Sequence, residues 1–334
     1  MRRLKFIAGS VCLGLAGCPD DEPSATGTPM ASGFAEDADA GPATGNDDAD
    51  ATAGTAADDS QQSAGTAFSG ELSGLLTVTY TPAHPLFDQD QVGLAGGYRT
   101  SEVGWEGAED LYSPVAYQLG LPTPPDEPDT LLPAEALPVY DWGSDSDWVL
   151  AGNGMKLRQG EGGPELQACL LPAGDYPLYR SSTAMGVPED CSPPAENWLP
   201  GTAYDVVLYG GETFADNVLL ERVTTPAALT VTAPDIAMFN LGVPVDADLT
   251  VSWEAGDDPE ARIIIRVIDA ETNVITVHAA DDGEYVIPAA ELGALSLGPA
   301  DLVIARERTD GVQFTNGGLT VLGRHERWGF IDLF

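Results

Sequence analysis

The chain has 334 residues, with 53 Asp and Glu against 14 Lys and Arg, giving a formal net charge of −39 at pH 7. A field of that sign repels nucleic-acid phosphates and anionic headgroups, which excludes nucleic acid as a partner. No segment beyond the first eighteen residues is apolar for the roughly 20 residues that a bilayer-spanning helix needs.

The opening MRRLKFIAGSVCLGLAGC places Arg2, Arg3 and Lys5 before a mostly apolar run from Phe6 to Ala16, closed by small residues and Cys18. That order of charge, apolar run and small residues is the order of a secretory signal, here residues 1–17. The end of the run, Leu15-Ala16-Gly17-Cys18, resembles the lipobox of bacterial lipoproteins. The resemblance implies a diacylglycerol on the Cys18 sulfur, cleavage before Cys18, and often a further acyl chain, such as palmitate, on the new amine. Each buried methylene contributes about 0.8 kcal/mol, so several chains anchor a protein stably where one does not. The expected location is the cell envelope, lipid-anchored on the periplasmic face or the cell surface. The alternative is an ordinary signal peptide cut nearby, with Cys18 left as a spare thiol.

Removal of residues 1–17 takes away three basic residues and no acidic one, so the mature charge is 11 − 53, or −42. Residues 18–67 follow as an acidic linker. From Pro19 to Ala67 the linker holds eleven acidic side chains and no Lys or Arg, and it is mainly Ala, Gly, Thr, Ser, Pro and Asp. Such a composition buries too little apolar surface to offset its ordering entropy, so a disordered stalk is expected. As a random coil it would reach ~40 Å, and further because like charges extend it. Its run DDADATAG lacks the ligand spacing and glycine position of an EF-hand loop.

Residues 68–334 hold all six Trp and all ten Tyr. Runs rich in Val, Ile, Thr and aromatics, divided by Gly, Pro and Asp, predict strands at 75–80, 204–209, 228–233, 248–253, 262–269, 273–279, 284–289, 301–307 and 318–323. Only PAAELGALSLG reads as a turn or two of helix. The fold class is therefore all-β, as two sandwich-like domains at 68–225 and 226–334. The second, with about seven strands in just over 100 residues, resembles an immunoglobulin or fibronectin sandwich without the antibody-type disulfide. In the first, seven prolines between 114 and 138 argue against a continuous central strand and for long decorated loops. Lipobox, acidic stalk and β-sandwich modules together resemble the layout of predicted lipoproteins of myxobacteria.

If Cys12 leaves with the signal and Cys18 is acylated, Cys169 and Cys191 remain, an even pair in an exported protein, and a disulfide is expected. No metal-ligand spacing surrounds them. The three histidines, His84, His278 and His325, form no H-E-x-x-H helix, and no G-x-S-x-G elbow or phosphate loop is present. His278 shares a strand face with Val274 and Thr276, whereas His84 lies between two prolines.

Two constellations carry site chemistry. In DWGSDSDW, Asp141, Asp145 and Asp147 lie among Trp142 and Trp148; clustered carboxylates suit Ca²⁺, and acids beside aromatics suit a glycan or peptide surface. The competing account is a solvated loop over packed tryptophans. Near the C-terminus, Arg306, Arg308, Arg324 and Arg327 form the densest basic cluster, fit either for an anionic partner or for cross-strand pairing. A final hairpin turning about Gly317 would set Glu307 opposite Arg327 and Arg308 opposite Glu326. The expectation is a non-enzymatic binding, adhesion or structural module, anchored to membrane by lipid, with a protein or glycan ligand and no cofactor. The rivals are an extracytoplasmic hydrolase or carbohydrate-acting enzyme with its site in the loops of 85–200, and a Ca²⁺-dependent adhesion protein.

Overall fold

The computed structural model describes residues 72–84, 89–100, 129–136, 148–150, 154–170, 179–182, 191–209, 217–236, 241–314 and 317–334. The signal segment, Cys18, the acidic linker and Asp141, Asp145 and Asp147 lie outside the described residues. All the described residues lie within one compact unit, residues 60–334.

Strand-forming runs of β-branched residues give the most regular part of the unit. The strands β11 (Leu249–Trp253), β12 (Ala261–Asp269), β13 (Asn273–Ala279) and β14 (Glu284–Ile287) alternate or bury nearly every position. With β9 (Val231–Ala233), β11 and β14 make a three-stranded sheet. It faces a larger sheet ordered β3-β13-β12-β15-β16-β1-β2-β6-β5-β4-β7-β8, with β10 (Leu241–Val243) added in parallel to the end of β16. Here β15 spans Gly298–Phe314 and β16 spans Gly317–Leu333, while β3 is Thr130–Ala136. Between them the sheets enclose Leu229, Val251, Trp253, Ile265, Ile304 and Ile331. The helix α1 (Ala289–Leu292) crosses between β14 and β15 and buries Leu292. This is the immunoglobulin- or fibronectin-like sandwich.

The remaining strands are β1 (Leu72–Thr81), β2 (Gln91–Thr100), β4 (Gly154–Arg158), β5 (Glu165–Leu170), β6 (Tyr179–Ser182), β7 (Ala203–Tyr209) and β8 (Asn217–Thr224). They continue the large sheet outward from β16 rather than forming a separate one, because β1 pairs in parallel with β16 from Leu72↔Gly317 to Tyr80↔His325. The sheet curls until the end of β8 meets β15, where the Thr224 N–H donates to Asp310 Oδ2 at 2.7 Å. Inside the curl lies a second apolar cluster that includes Leu76, Tyr98, Met155, Tyr204, Val312 and Leu319.

Each 17-residue strand of the β15–β16 hairpin thus serves both cores. On one face, Leu302 and Ile304 with Ile331 and Leu333 belong to the sandwich core, and Val312 with Leu319 and Val321 to the other. Between them the same face carries Arg306, Arg308, Asp310, His325 and Arg327. A polar belt therefore separates two apolar cores along one continuous hairpin.

Candidate functional site

The belt follows from register. Phe314 pairs with Gly317, and every other cross-strand pair of the hairpin follows from that register. Glu307 faces Arg324 and Arg306 faces His325, where a turn centred on Gly317 would have placed Arg327 opposite Glu307. The reason is a close approach: a Cβ on Gly317 would meet the Leu72 carbonyl oxygen at 2.1 Å. Glycine is needed there to let β16 start beside β1, not to make the turn.

The four arginines expected as one basic patch are split by this register. Arg306 and Arg308 project to the core side and Arg324 to the opposite side. Arg306 is buried; its Nε lies 2.7 Å from Asp281 Oδ2, Nη1 donates to the Ala228 carbonyl at 2.5 Å, and Nη2 donates to the Glu254 carbonyl at 2.6 Å. Trp253 Nε1 donates to the same Asp281 at 2.9 Å. Arg308 donates to Asp258 and Asp310. Burial pulls the Asp258 carboxyl upward, but its bonds from Arg308 and the Glu260 N–H prevail and hold it below the usual carboxylate range. On the other face, the fully buried Glu307 accepts from Arg324 Nε at 2.6 Å and from Arg262 Nη2 at 2.7 Å. Cross-strand pairing therefore accounts for Arg324 alone, through Glu307, while Arg306 and Arg308 are held by the loop carboxylates Asp281 and Asp258 and, for Arg308, by Asp310 of its own strand.

Arg327 is different. It meets no carboxylate of a described residue within ion-pair distance. Among the described residues no strand pairs with its position on that edge of β16, since β1 pairing ends at His325 and β10 pairing begins at Ile331. Pro82, which lacks an N–H, directly follows β1. Beside Arg327 lies a cleft of about 40 Å³ lined by Thr81, Pro82, Ala83, His84, Ile236, Arg327 and Trp328. That is far below the roughly 300–1,000 Å³ of a pocket for an organic ligand. The His84 ring lies 6.1 Å from both Trp328 and Phe330. Partial burial lowers the His84 pKa; a hydrogen bond with the Ile236 backbone opposes this, and Arg327 adds to it.

Behind the cleft, His325 packs against Tyr80 with ring centroids 5.1 Å apart. Burial first, then Arg327 and Arg306, lowers its pKa to about 4. Tyr80 donates to Asp90 Oδ2 at 2.5 Å, and Asp90 Oδ1 accepts from the Ala83 N–H at 2.8 Å. Burial and that bond raise the Tyr80 pKa. His278 is buried on the far face of β13, and desolvation, then Arg262 and Arg266, brings its pKa to about 4.

Cys169 and Cys191 form a disulfide. It ties β5 to a segment pinned by the Tyr204 hydroxyl, which donates to the Asn197 carbonyl at 2.7 Å and accepts from the Leu199 N–H at 2.9 Å. Among the described residues no three His, Cys, Asp or Glu side chains converge as a metal ion requires, and no helix is long and apolar enough to cross a membrane.

No protein-family model matches the chain, and no curated protein matches it in sequence. Among solved structures, it is similar to a tetra-tandem repeat from the extending region of a large adhesion protein, at 13% identity over 78% of this chain and 49% of that one, with a TM-score of 0.18. A Ca²⁺-stabilized adhesin that helps an Antarctic bacterium reach out and bind ice is similar at 13% identity, over 79% and 50% of the two chains, with a TM-score of 0.18. The chicken CNTN1 FN1–FN3 domains are similar at 12% identity over 62% of each chain, with a TM-score of 0.19. The chain spans about half the length of the first two.

Proposed function

We propose that this chain is a lipid-anchored cell-envelope protein, acylated at Cys18 and cleaved before it, whose β body acts as a non-enzymatic binding or adhesion module. The observation that carries the reading is the order of the first 67 residues: cationic start, short apolar run, Leu15-Ala16-Gly17-Cys18, then an acidic linker without Lys or Arg. Multiple acyl chains supply a stable anchor without any spanning segment. The linker, extended by its own charge, sets the sheet body off from the bilayer, where an external protein or glycan is within its reach. A sheet body with a shallow cleft suits contact with such a partner across a surface. The reading calls for no cofactor.

Mass spectrometry of the native product tests the anchor. The expected result is a mature chain beginning at Cys18 with the mass of its acyl groups. An unmodified chain beginning at Met1 would overturn it. A Cys18→Ser chain is expected to leave the membrane fraction, whereas unchanged membrane retention would show that something other than lipid holds it.

A further inference from the structure

We infer that the cleft beside Arg327 on β16 is a binding site for a single carboxylate, with Arg327 as its cation. Three observations meet there. The first is charge: in a chain with 53 acids and 14 Lys and Arg, Arg306, Arg308, Arg324 and Arg262 all meet described carboxylates, and Arg327 does not. The second is the neighbouring Thr81, which lines the same cleft, is 2% exposed, and has an Oγ1 buried without a hydrogen-bond partner. Buried hydroxyls in folded proteins nearly always have partners, so this one calls for a bound group or a water. The third is size and shape. About 40 Å³ has room for one carboxylate or a few waters, not an organic skeleton.

The chemistry selects a carboxylate over a phosphate. A guanidinium offers a planar fork of parallel N–H donors that matches two carboxylate oxygens. The walls beside it, Pro82, Ile236 and Trp328, are apolar and suit a flat group with a short stem. A dianion would need more donors and would meet stronger repulsion from a body of this net charge. The carboxylate belongs either to a small free acid or to an acidic side chain of a peptide; both enter as one charged head with the remainder outside. This site stands whether or not Cys18 is acylated.

The test is saturation-transfer NMR on the full chain, with acetate in one arm and the capped peptide acetyl-Ala-Asp-Ala-amide in the other, at ionic strength held constant with chloride. Saturable binding is expected in at least one arm, with Arg327→Gln weakening it about tenfold or more. Binding of acetate alone assigns a small free acid, and binding of both assigns the acidic side chain as well. Arg327→Lys, which keeps the charge and loses the fork, and Thr81→Val, which removes the hydroxyl, are each expected to weaken binding severalfold, and they decide the matter if Arg327→Gln does not fold. No saturable binding in either arm, or isotherms unchanged in these variants, would overturn the site.

Discussion

Asp281 lies 25 residues before Arg306 in sequence, yet their charged groups approach to 2.7 Å with both side chains almost fully buried. Through this pair, Arg306 connects the loop after β13 to the backbone at Ala228 and Glu254. The arginine sits where the sandwich core ends and the polar belt begins.

Removing one partner leaves the other charge buried and uncompensated. Arg306→Met is therefore expected to lower stability by about 3–5 kcal/mol. The double change Arg306→Met with Asp281→Leu should restore only part of this, because Trp253 Nε1 and the carbonyls of Ala228 and Glu254 also lose their partners. Arg222→Gln is the control: its side chain is 70% exposed and 3.7 Å from Asp205, so the change should stay within about 1 kcal/mol. Urea denaturation of the three variants checks this. A loss for Arg306→Met no larger than that for Arg222→Gln would show that the pair contributes little to the fold.

Cys169 and Cys191 are 22 residues apart and bracket a segment whose strand β6 pairs with β5 and β2. On the chain-entropy account, a loop of that length contributes about 3 kcal/mol by restricting the unfolded chain. The double variant Cys169→Ala with Cys191→Ala should melt at a lower temperature, and a reductant should lower the melting point of the native chain but not of the variant. Equal melting of native and variant proteins in oxidising buffer would remove the disulfide from the stability of the fold.

The strands most legible in sequence were those dense in β-branched residues. RIIIRVID and NVITVHA became β12 and β13 at almost the expected bounds. The strand β2, QVGLAGGYRT, was not legible, because its glycines read as turn signals. In the sheet a Cβ at Gly96 would lie 2.2 Å from the Leu75 carbonyl oxygen, so glycine there serves the approach of β1. Pro133 lies in β3, but β3 is an edge strand, where a missing N–H costs no ladder bond. The cysteine pair was legible by elimination. Arg327 could be singled out as basic but not as unpaired, since its isolation depends on a hairpin register offset from the glycine that suggested it. The cleft was invisible for a related reason: it lies in the space between where β1 stops and where β10 begins along β16.

The two deeply buried histidines give the fold a pH dependence whose sign can be worked out. His278 and His325 are 3% and 4% exposed and stay neutral down to about pH 4, chiefly because burial disfavours the imidazolium. In the unfolded chain both take up protons near pH 6.5. Between those values the unfolded state binds more protons than the folded one, so stability falls as the pH drops. Above about pH 7.5 the contribution is flat, and each histidine can remove at most about 3 kcal/mol by pH 4. Below that, Asp258 and Asp269, whose carboxyls are held low once their hydrogen bonds outweigh burial, add a further loss as they protonate. Unfolding free energies from urea titrations between pH 8 and pH 4.5 should therefore decline as the pH falls, with these two histidines contributing up to about 2.7 kcal/mol per pH unit, the value for two protons. Replacing either histidine by Gln should remove about half of that slope while leaving the plateau above pH 7.5 comparatively unchanged in shape. A native profile that stays level from pH 7 to pH 5 would mean that the imidazoles can charge in place, and that the arginines beside them do not oppose it.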